Sequence, residues 1–312
     1  MNDPLMDLIS GSGAASPDPL LSIAGRVENK YADNEGVKIH YAALGEGPLV
    51  VLMHGFPDYW LTWRHQIDAL SKQFRVCAIS MRGYNLSDKP KGVENYSMRK
   101  LVSDCAAVIA AEGASKATVI GHDWGGATAW NVAMRRPDIT ERLVVLNMPH
   151  PWTLAKLLAE NPEQQKNSQY ARNFQDPEFY KKISLDRLGA WVTDPEARKS
   201  HLAKMERSDP QAMLHYYQAN YPAPPYVVPT APPPSVKMPV LLIHGMEDKA
   251  LLSEGLNGVW NFCEQDFTLA TVPGAGHFVQ QDAAELALEE AEAEFAKASA
   301  LEERDNAVRM RA

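Results

Sequence analysis

The sequence has few of the features that mark secreted, membrane-bound or nucleic-acid-binding chains. Three of its 312 residues are cysteines, Cys77, Cys105 and Cys263, and their wide spacing gives no disulfide framework. No apolar run approaches the roughly 18 residues of a membrane span, and the amino terminus lacks the basic-then-apolar pattern of a signal peptide. The net charge is -8, without a cluster of lysines and arginines that would hold phosphates. These absences predict a cytoplasmic protein that binds neither nucleic acid nor membrane.

Motifs for cofactors, metals and serine nucleophiles are also missing. Neither Gly45-Glu46-Gly47 nor Gly274-Ala275-Gly276 has the third glycine of a dinucleotide-binding fingerprint. Nine histidines are scattered without His-x-x-x-His spacing, and no Cys-x-x-Cys pair occurs. No Gly-x-Ser-x-Gly pentapeptide is present, which argues against the serine chemistry of esterases and lipases. We therefore expect no bound cofactor, no metal site and no serine nucleophile.

The arrangement of apolar runs predicts an α/β fold with a mostly parallel, doubly wound sheet. Two early runs, Arg26 to Tyr31 and Val37 to Ala43, flank the turn-forming stretch Asp33 to Gly36 and indicate an antiparallel hairpin. After them, short runs that would be buried on both faces alternate with helical stretches, as parallel strands with crossovers require. These predicted strands are Leu49 to Met53, Arg75 to Ile79, Thr118 to Ile120, Leu143 to Leu146, Val240 to Ile243 and Leu269 to Val272.

Three segments stand outside this alternation. Residues 1–24 lack periodicity and are predicted to form a flexible N-terminal arm. Residues 149–237 combine aromatic-rich helical stretches with a proline-rich exit, and we interpret them as a helical cap inserted into a core of residues 25–148 and 238–305. Near the end, an apolar repeat at helical spacing predicts a closing helix; its residues are Leu288, Ala291, Phe295 and Ala298.

An aspartate occupies the position at which a sharp strand-to-helix turn would present a nucleophile. It is Asp123, in a Gly-His-Asp-Trp-Gly-Gly stretch between a predicted strand and the start of a helix. Gly121 and Gly125 lack Cβ atoms, which would let the strand and the helix approach at such a turn. A carboxylate there can attack a carbon that bears a leaving group or belongs to a strained ring, and water must then cleave the resulting ester. Taken alone, Asp123 fits the role of a helix N-cap equally well.

Two further loops that follow strands carry the partners that such a nucleophile needs. His277, on a glycine-rich loop after the last predicted strand, is a candidate general base, because doubly wound sheets place their sites beyond the carboxyl ends of strands. Asp248 follows the preceding strand and is the candidate acid that orients the histidine, with the neighbouring Glu247 as the lesser alternative. The chain order Asp123, Asp248, His277 matches nucleophile, acid and base.

The turn after the first parallel strand is a candidate oxyanion hole. In His54-Gly55-Phe56-Pro57, the backbone N–H of Phe56 could lie beside that of Trp124 and receive developing negative charge. Pro57 has no N–H and would only fix the turn. A plain strand-ending turn is the alternative explanation for His54 and Gly55.

Several segments together resemble a known family: His54-Gly55-Phe56-Pro57, Trp63-Arg64-His65-Gln66, Arg82-Gly83-Tyr84-Asn85-Leu86-Ser87-Asp88-Lys89-Pro90, Gly121-His122-Asp123-Trp124-Gly125-Gly126 and Gly276-His277-Phe278. They resemble the α/β-hydrolase superfamily and, within it, the epoxide hydrolases with an aspartate nucleophile, over about residues 26–300. The resemblance implies an α/β-hydrolase fold with an inserted helical cap. It also implies that Asp123 opens an epoxide to form a hydroxyalkyl ester. His277, oriented by Asp248, would then activate the water that releases a vicinal diol.

In that family two cap tyrosines hold the epoxide oxygen and protonate it as the ring opens. Tyr170, with Phe174 four residues later on the same helical face, resembles the first of them. Tyr217, the second of two adjacent aromatic residues, resembles the other, and Tyr216 is its main alternative. A phenol with an ordinary pKa of about 10 is a suitable acid for a far more basic alkoxide. The resemblance therefore implies Tyr170 and Tyr217 as proton donors.

Two positions depart from the family's pattern. Asn85 stands where the family commonly has glycine, and Gln218 replaces the arginine that usually follows the second tyrosine. Both differences bear on the packing of the cap more than on the chemistry.

Two other functions would use much of the same machinery. A haloalkane or haloacid dehalogenase would keep Asp123, the histidine and the acid. The haloalkane type needs a second side-chain N–H for the halide besides that of Trp124, and Phe56 has none; the haloacid type needs arginines just after the nucleophile. A ligand-binding homologue without turnover would lack one member of the triad, and all three are present. We expect a small apolar epoxide and water as partners and a monomer or homodimer, with the natural epoxide left open.

Overall fold

The computed structural model describes residues 23–189, 195–293 and 297 of the chain. Within them, one sheet of eight strands has the order β1-β2-β4-β3-β5-β6-β7-β8. The strands are β1 (Glu28–Asn34), β2 (Val37–Leu44), β3 (Leu49–Met53), β4 (Arg75–Ile79), β5 (Ala117–His122), β6 (Thr140–Leu146), β7 (Val240–Gly245) and β8 (Phe267–Val272). All neighbours from β4 to β8 are parallel, which confirms the predicted mostly parallel sheet.

The predicted antiparallel hairpin is present and lies at one edge of this sheet. β1 pairs with β2, and β2 pairs antiparallel with β4. The turn is shorter than the sequence suggested, since β1 continues to Asn34 and only Glu35 and Gly36 connect the strands. Both residues have positive φ angles, 54° and 84°, which is the backbone of the two-residue turns that match the twist of a hairpin.

Strand burial explains which strands the sequence located well. β3, β5 and β7 are buried at every position, so they read as continuous apolar runs. β8 is half exposed along most of its length and begins at Phe267, two residues before the predicted start. Its edge position mixes polar and apolar side chains, and this weakens the signal at its beginning.

Helices connect the strands and follow the last of them. In chain order they are α1 (Arg64–Leu70), α2 (Met98–Ala111), α3 (Trp124–Arg135), α4 (Pro151–Glu160), α5 (Pro162–Asn167), α6 (Gln169–Phe174), α7 (Leu185–Leu188), α8 (Pro195–Met205), α9 (Pro210–Asn220), α10 (Val279–Asp282) and α11 (284–293). Short 3-10 helices span Trp60–Trp63, Val93–Tyr96, Phe179–Lys182, Ser253–Leu256 and Val259–Phe262. No helix in these described ranges is long and apolar enough to cross a membrane.

The two ends of the chain differ in how far they are described. Residues 1–22 of the predicted N-terminal arm lie outside the described residues, whereas Ile23 is fully buried in the hydrophobic core. The predicted closing helix corresponds to α11, on which Leu288 and Ala291 lie. Phe295 and Ala298, also assigned to it from the sequence, lie outside the described residues.

Helices α4 to α9 all lie between β6 and β7, where the alternation of strand and helix stops in the sequence. Local capping explains where some of them begin. The Asn161 side chain accepts hydrogen bonds from the first turn of α5, and the Asp209 side chain does the same for α9. Pro162 and Pro210 occupy the first helical position, where a missing N–H costs nothing. After α9, residues 221–239 run back to β7 without helix or strand.

The order of the strands creates the crevice in which a site can form. β4 lies on one side of β3 and β5 lies on the other, so the direction of winding reverses between β3 and β5. At such a switch point the loops after the strands separate and leave a cleft beyond the carboxyl ends. The loops that follow β3 and β5 carry Phe56 and Asp123.

Asn85 joins the loop after β4 to the inserted helices. Its backbone N–H donates to Ser208 Oγ at 2.9 Å, and its side-chain amide donates to the carbonyl oxygen of Lys204 at 3.2 Å. The φ angle of Asn85 is 44°, a left-handed conformation that suits glycine and that asparagine tolerates better than most residues. The departure from the family's glycine therefore keeps the backbone and adds a contact to the helices.

A buried ion pair fixes the loop after β4. The guanidinium of Arg82 is 1% exposed and donates to both carboxylate oxygens of Asp104, with an Nε to Oδ2 distance of 2.6 Å. The carbonyl oxygen of Arg82 in turn accepts a hydrogen bond of 2.8 Å from the hydroxyl of Tyr216 on α9. This pair therefore supports both the core and the helices above it.

We expect Arg82→Leu to lower the free energy of unfolding by about 3–5 kcal/mol, because it leaves the buried Asp104 carboxylate without its charge partner. The matched control is Arg136→Leu, which breaks an exposed ion pair with Asp138 and should cost less than about 1 kcal/mol. Urea unfolding of the two variants measures both values. Equal losses in the free energy of unfolding would show that burial does not increase the contribution of the Arg82–Asp104 pair to stability.

Candidate active site

Asp123 lies at the apex of the turn between β5 and α3 in a strained backbone conformation, with φ 51° and ψ -119°. Glycines around it make the turn possible by close approach. A Cβ atom on Gly121 would lie 2.2 Å from the carbonyl oxygen of Gly125, and one on Gly125 would lie 2.1 Å from that of Met53. A Cβ atom on Gly55 would lie 2.5 Å from Oδ1 of Asp123 itself. No residue with a side chain fits at these three glycine positions without displacing the turn.

The carboxylate of Asp123 does not act as the N-cap that the sequence left open. It makes no side-chain capping bond to α3, and its Oδ1 atom accepts the backbone N–H of Phe56 at 2.8 Å. The peptide bond between Phe56 and Pro57 is cis. Trp124 is the first residue of α3 and directly follows Asp123. The two predicted oxyanion-hole residues therefore lie on the two loops that meet at Asp123.

His54 is a buried structural residue of the turn after β3. Its Nε2 atom accepts the backbone N–H of Met81 at 2.9 Å, so Nδ1 carries the proton and donates to the carbonyl oxygen of Gly55 at 2.8 Å. Burial lowers the pKa of His54 to about 4, which fits a neutral ring. His54 thus ties the turn to the loop after β4.

The structure brings His277 and Asp248 to Asp123, although they are distant in sequence. The Nδ1 atom of His277 lies 2.8 Å from Oδ2 of Asp248, and its Nε2 atom lies 3.5 Å from Oδ2 of Asp123. Since an ionised carboxylate only accepts hydrogen bonds, Asp248 fixes the orientation of the imidazole with Nε2 towards Asp123. Glu247, the alternative acid, is exposed. The geometry therefore pairs the histidine with Asp248.

The electrostatics of these three groups are strongly coupled. Burial by itself would lower the pKa of His277, but the carboxylates of Asp248 and Asp123 raise it to about 10. Burial opposes ionisation of the carboxyl groups as well, yet His277 lowers the pKa of Asp248 to about 2 and also lowers that of Asp123. An imidazolium thus lies between two carboxylates, and it cannot accept a proton while both negative charges remain.

Asn147, which the sequence analysis missed, directly follows β6 and has a positive φ of 43°. Its side-chain amide donates to Oδ2 of Asp248 at 2.7 Å and to the carbonyl oxygen of Gly276 at 3.2 Å. The other carboxylate oxygen of Asp248 accepts the backbone N–H groups of Ala250 at 2.8 Å and Leu251 at 3.0 Å. The sequence signal for Asn147 is its position: it is a polar residue directly after a strand. The ends of other strands had already supplied candidate site residues in the same way.

His122, next to Asp123, holds the loop of His277. Its Nε2 atom donates to the carbonyl oxygen of His277 at 2.7 Å, and burial lowers the pKa of His122 to about 3. Its neutral ring is therefore a positioning group for the backbone of the candidate base.

The Trp63-Arg64-His65-Gln66 segment supports the chain that follows His277. The guanidinium of Arg64 donates to the side chain of Gln281 at 2.8 Å, and the side-chain amide of Gln66 donates to the carbonyl oxygen of Gln280 at 2.9 Å. Both acceptors belong to α10, which begins two residues after His277. This contact gives the motif a structural role at the site.

A cavity of about 470 Å³ opens above Asp123, between the sheet and the inserted helices. It is largely apolar, with Asp123, Tyr170 and Tyr217 among its polar lining groups. The other lining residues are Met98, Trp124, Ala127, Asn131, Met148, Pro151, Leu154, Ala155, Leu158, Ala219, Asn220, Tyr221, Pro222 and Leu251. In the described ranges, no three His, Cys, Asp or Glu side chains are grouped to hold a metal ion.

The tyrosines predicted from the resemblance line this cavity together. The ring centroids of Tyr170 and Tyr217 are 6.1 Å apart, and the ring of Tyr217 meets that of Trp124 edge-on at 5.0 Å. Burial raises the pKa of both phenols well above its usual value, and the nearby Asp123 charge adds to this effect, so both keep their protons. Tyr216 does not line the cavity, because its hydroxyl donates to the Arg82 carbonyl.

Similarity to known proteins identifies the family to which the chain belongs. Residues 48–284 match the family model of the alpha/beta hydrolase fold. The chain is 34% identical to AB hydrolase superfamily protein YfhM of Bacillus subtilis, over 82% of this chain and 93% of that protein. It is 30% identical to Epoxide hydrolase 3 of Xenopus tropicalis, over 89% of this chain and 80% of that protein. The chain belongs to the epoxide hydrolase family of the α/β-hydrolase fold.

Solved structures agree with this family assignment. An epoxide hydrolase from metagenomes of hot environments has a TM-score of 0.76 at 34% identity, covering 85% of this chain and 97% of its own. The Bacillus megaterium epoxide hydrolase, solved with an inhibitor, has a TM-score of 0.76 at 31% identity, covering 82% and 96%. The eight-stranded, mostly parallel sheet is therefore the α/β-hydrolase fold that the motifs implied.

We expect Asp123→Asn to lower the pKa of His277, because it removes one of the two negative charges that stabilise the imidazolium. Nitrogen NMR of the His277 ring across a pH titration measures the shift. Asp138→Asn, which changes an exposed carboxylate on the surface, is the control and should leave the titration of His277 unchanged. An unchanged pKa in Asp123→Asn would contradict the coupling of the two groups.

Proposed function

We propose that this protein is an epoxide hydrolase that converts an apolar epoxide and water into a vicinal diol. One observation carries the proposal: the Asp123 carboxylate and the side chains of Tyr170 and Tyr217 line the same largely apolar cavity. A nucleophile and two protonated phenols are the groups that ring opening needs, since one attacks carbon while the others donate to the oxygen. The names of the related proteins support the same substrate class.

In the first step, Oδ2 of Asp123 attacks an epoxide carbon. Oδ1 is held by the Phe56 N–H, which leaves Oδ2 as the oxygen available for the new bond. As the carbon–oxygen bond of the ring breaks, the phenol of Tyr170 or Tyr217 gives its proton to the epoxide oxygen. The product is a hydroxyalkyl ester on Asp123 and one tyrosinate.

Ester formation switches His277 from acid to base. The esterified Asp123 carries no charge, so the imidazolium loses one of its two stabilising partners and its pKa falls. The proton that leaves His277 returns to the tyrosinate and restores the phenol. The neutral ring, still oriented through Nδ1 by Asp248, has Nε2 free to accept a proton from water.

In the second step, the activated water attacks the carbonyl carbon of the ester. Negative charge then develops on Oδ1, which already accepts the Phe56 N–H, and we assign the N–H of Trp124 as the second donor. Collapse of the intermediate breaks the bond between the carboxyl carbon and Oδ2, and the leaving alkoxide takes the remaining proton of the attacking water. The diol departs with Oδ2 as one of its oxygens, and the Asp123 carboxylate and the His277 imidazolium are restored. His54, Gly55, Pro57, Gly121 and Gly125 act by shaping the turns that bring these donors together.

The inserted helices act as a cap over this chemistry. We assign residues 149–237 to the cap and residues 25–148 and 238–305 to the core. Both proton-donating tyrosines come from the cap, Tyr170 from α6 and Tyr217 from α9, whereas the nucleophile, acid and base come from the core. The inserted helices cover a largely apolar cavity, and low polarity strengthens the electrostatic interactions within it.

A dehalogenase is not favoured. A second side-chain N–H for a halide is absent at Phe56, whose backbone N–H is directed at Asp123 instead. The cavity places two phenols near the nucleophile, and these suit an alkoxide that needs a proton rather than a halide that does not.

Product analysis with aryl and alkyl epoxides tests the function directly. We expect purified protein to form vicinal diols and Asp123→Ala to form none. His277→Gln should complete the first step and stall in the second, so intact mass spectrometry should detect a covalent adduct of the epoxide mass. Halide release from short haloalkanes without any diol would overturn the proposal.

Replacing the cap tyrosines separates proton donation from packing. We expect Tyr170→Phe and Tyr217→Phe together to slow ring opening by at least about a hundredfold, the usual lower value for a general acid. Tyr216→Phe is the matched control, because it removes a neighbouring hydroxyl that bonds only to the Arg82 carbonyl. Single-turnover formation of the ester, followed by mass spectrometry, measures the rate. Equal rates for the double variant and the control would remove Tyr170 and Tyr217 from the mechanism.

A further inference from the structure

A second cavity, of about 250 Å³, adjoins the reaction cavity. Asn131 and Pro151 line both cavities, so the two spaces meet at these residues. The remaining walls come from the end of α3, the start of α4 and the proline-rich stretch after α9. They are formed by Met134, Arg135, Trp152, Pro229, Pro233 and Pro234.

One face of α3 runs from the nucleophile to this second cavity. Trp124, Ala127 and Asn131 line the first space, and Asn131, Met134 and Arg135 line the second, at the spacing of residues on one helical face. Asn131 lies eight residues after Asp123, or about 12 Å along the helix. An extended chain advances roughly 1.2 Å per bond, so a substituent of roughly ten bonds would reach from the epoxide to the second cavity.

Asn131 is one of the two residues at which the cavities meet. Its amide donates to the carbonyl oxygen of Ala127 at 2.9 Å, and its Oδ1 atom accepts the Nε hydrogen of Arg135 at 3.1 Å. Both partners belong to the same helix, and the exposed Arg135 can exchange this bond for one to water. Rotation of the Asn131 side chain therefore exchanges hydrogen bonds within one helix and widens the passage between the two spaces.

The chemistry of the second cavity suits an apolar chain. Three proline rings, Met134 and Trp152 form most of its wall, and prolines present no N–H that a hydrocarbon would leave unsatisfied. Arg135 is the one charged residue that lines it, and this residue is exposed. Three prolines of the stretch after α9 thus supply one wall of a binding space.

We propose that the second cavity is a subsite for the tail of the substrate. It takes an unbranched apolar substituent, a long alkyl or alkoxy chain, while the epoxide at the other end of the molecule lies against Asp123. The inference rests on the proposed function and names the substrate class for that site, which is a terminal epoxide with a long chain. Asn131 and Met134 are then the residues that determine chain-length specificity.

The test compares kcat/KM for two terminal epoxides, those of butene and tetradecene, below the solubility limit of the longer one. Met134→Trp fills the second cavity and should lower the ratio of long-chain to short-chain kcat/KM by at least about tenfold, because each methylene that loses its burial costs roughly fourfold in binding. Met134→Leu nearly conserves volume and should leave that ratio within about twofold. Pro233→Trp fills the same space from the proline-rich side, and should reproduce the loss if Met134→Trp does not fold.

A ratio that stays unchanged in both tryptophan variants, with diol still formed from both epoxides, would overturn the tail subsite and leave the proposed function intact. Failure of the wild-type protein to form diol from either epoxide would instead overturn the proposed function, and the subsite with it.

Discussion

The buried group of two carboxylates and one imidazolium is the interaction on which the rest of the structure depends. Asp123 and Asp248 are each at most 6% exposed, and two such charges could not be buried together without the cation of His277 between them. The carboxylate oxygens accept further hydrogen bonds, from the Phe56 amide at Asp123 and from Asn147 and two backbone amides at Asp248. These donors come from the loops after β3, β6 and β7, while β5 and β8 lead to Asp123 and His277. The parallel order of these five strands is what places all of those loops at one edge.

The strained backbone of Asp123 is tolerated because the surrounding packing allows no other conformation. The turn at Asp123 packs so closely against the β3 loop that Gly55, Gly121 and Gly125 cannot carry side chains, and the backbone of residue 123 is held between a buried strand and a buried helix. Strain of this kind costs on the order of 1–3 kcal/mol, which the packing of β5 and α3 must offset. This backbone conformation lets the Asp123 carboxylate face the cavity and the Phe56 amide at the same time. A capping aspartate in relaxed backbone would point its oxygens at its own helix instead.

The sequence was sufficient wherever one local signal decided the outcome. β3 and β4 have the predicted bounds because both are continuous apolar runs next to clear turns, and Asp123 could be located because its glycines are adjacent in the chain. It was insufficient wherever the outcome depended on which way a side chain points. Whether Glu247 or Asp248 faces His277, and whether Tyr216 or Tyr217 faces the cavity, are choices between neighbours with the same chemistry. In each pair the structure buries one member in the site and directs the other to solvent or to the core, which no single-sequence pattern encodes.

The direction of a side chain also decides the contact between the inserted helices and the loop of Asp248, and the sequence alone does not predict it. Gln164, fully buried on α5, donates to the carbonyl oxygen of Ala250 at 2.7 Å and accepts the N–H of Leu252 at 2.9 Å. The loop that it holds is the one whose amides bind Asp248, and Gln164 also donates to Ser168, directly before the helix of Tyr170. One glutamine thus fixes the helix that carries a phenol relative to the loop that orients the imidazole. Because an error of about 1 Å between reacting groups can cost a hundredfold in rate, a rigid link between these two parts matters as much as the groups themselves. The inserted helices are therefore part of the site's alignment as well as its cover.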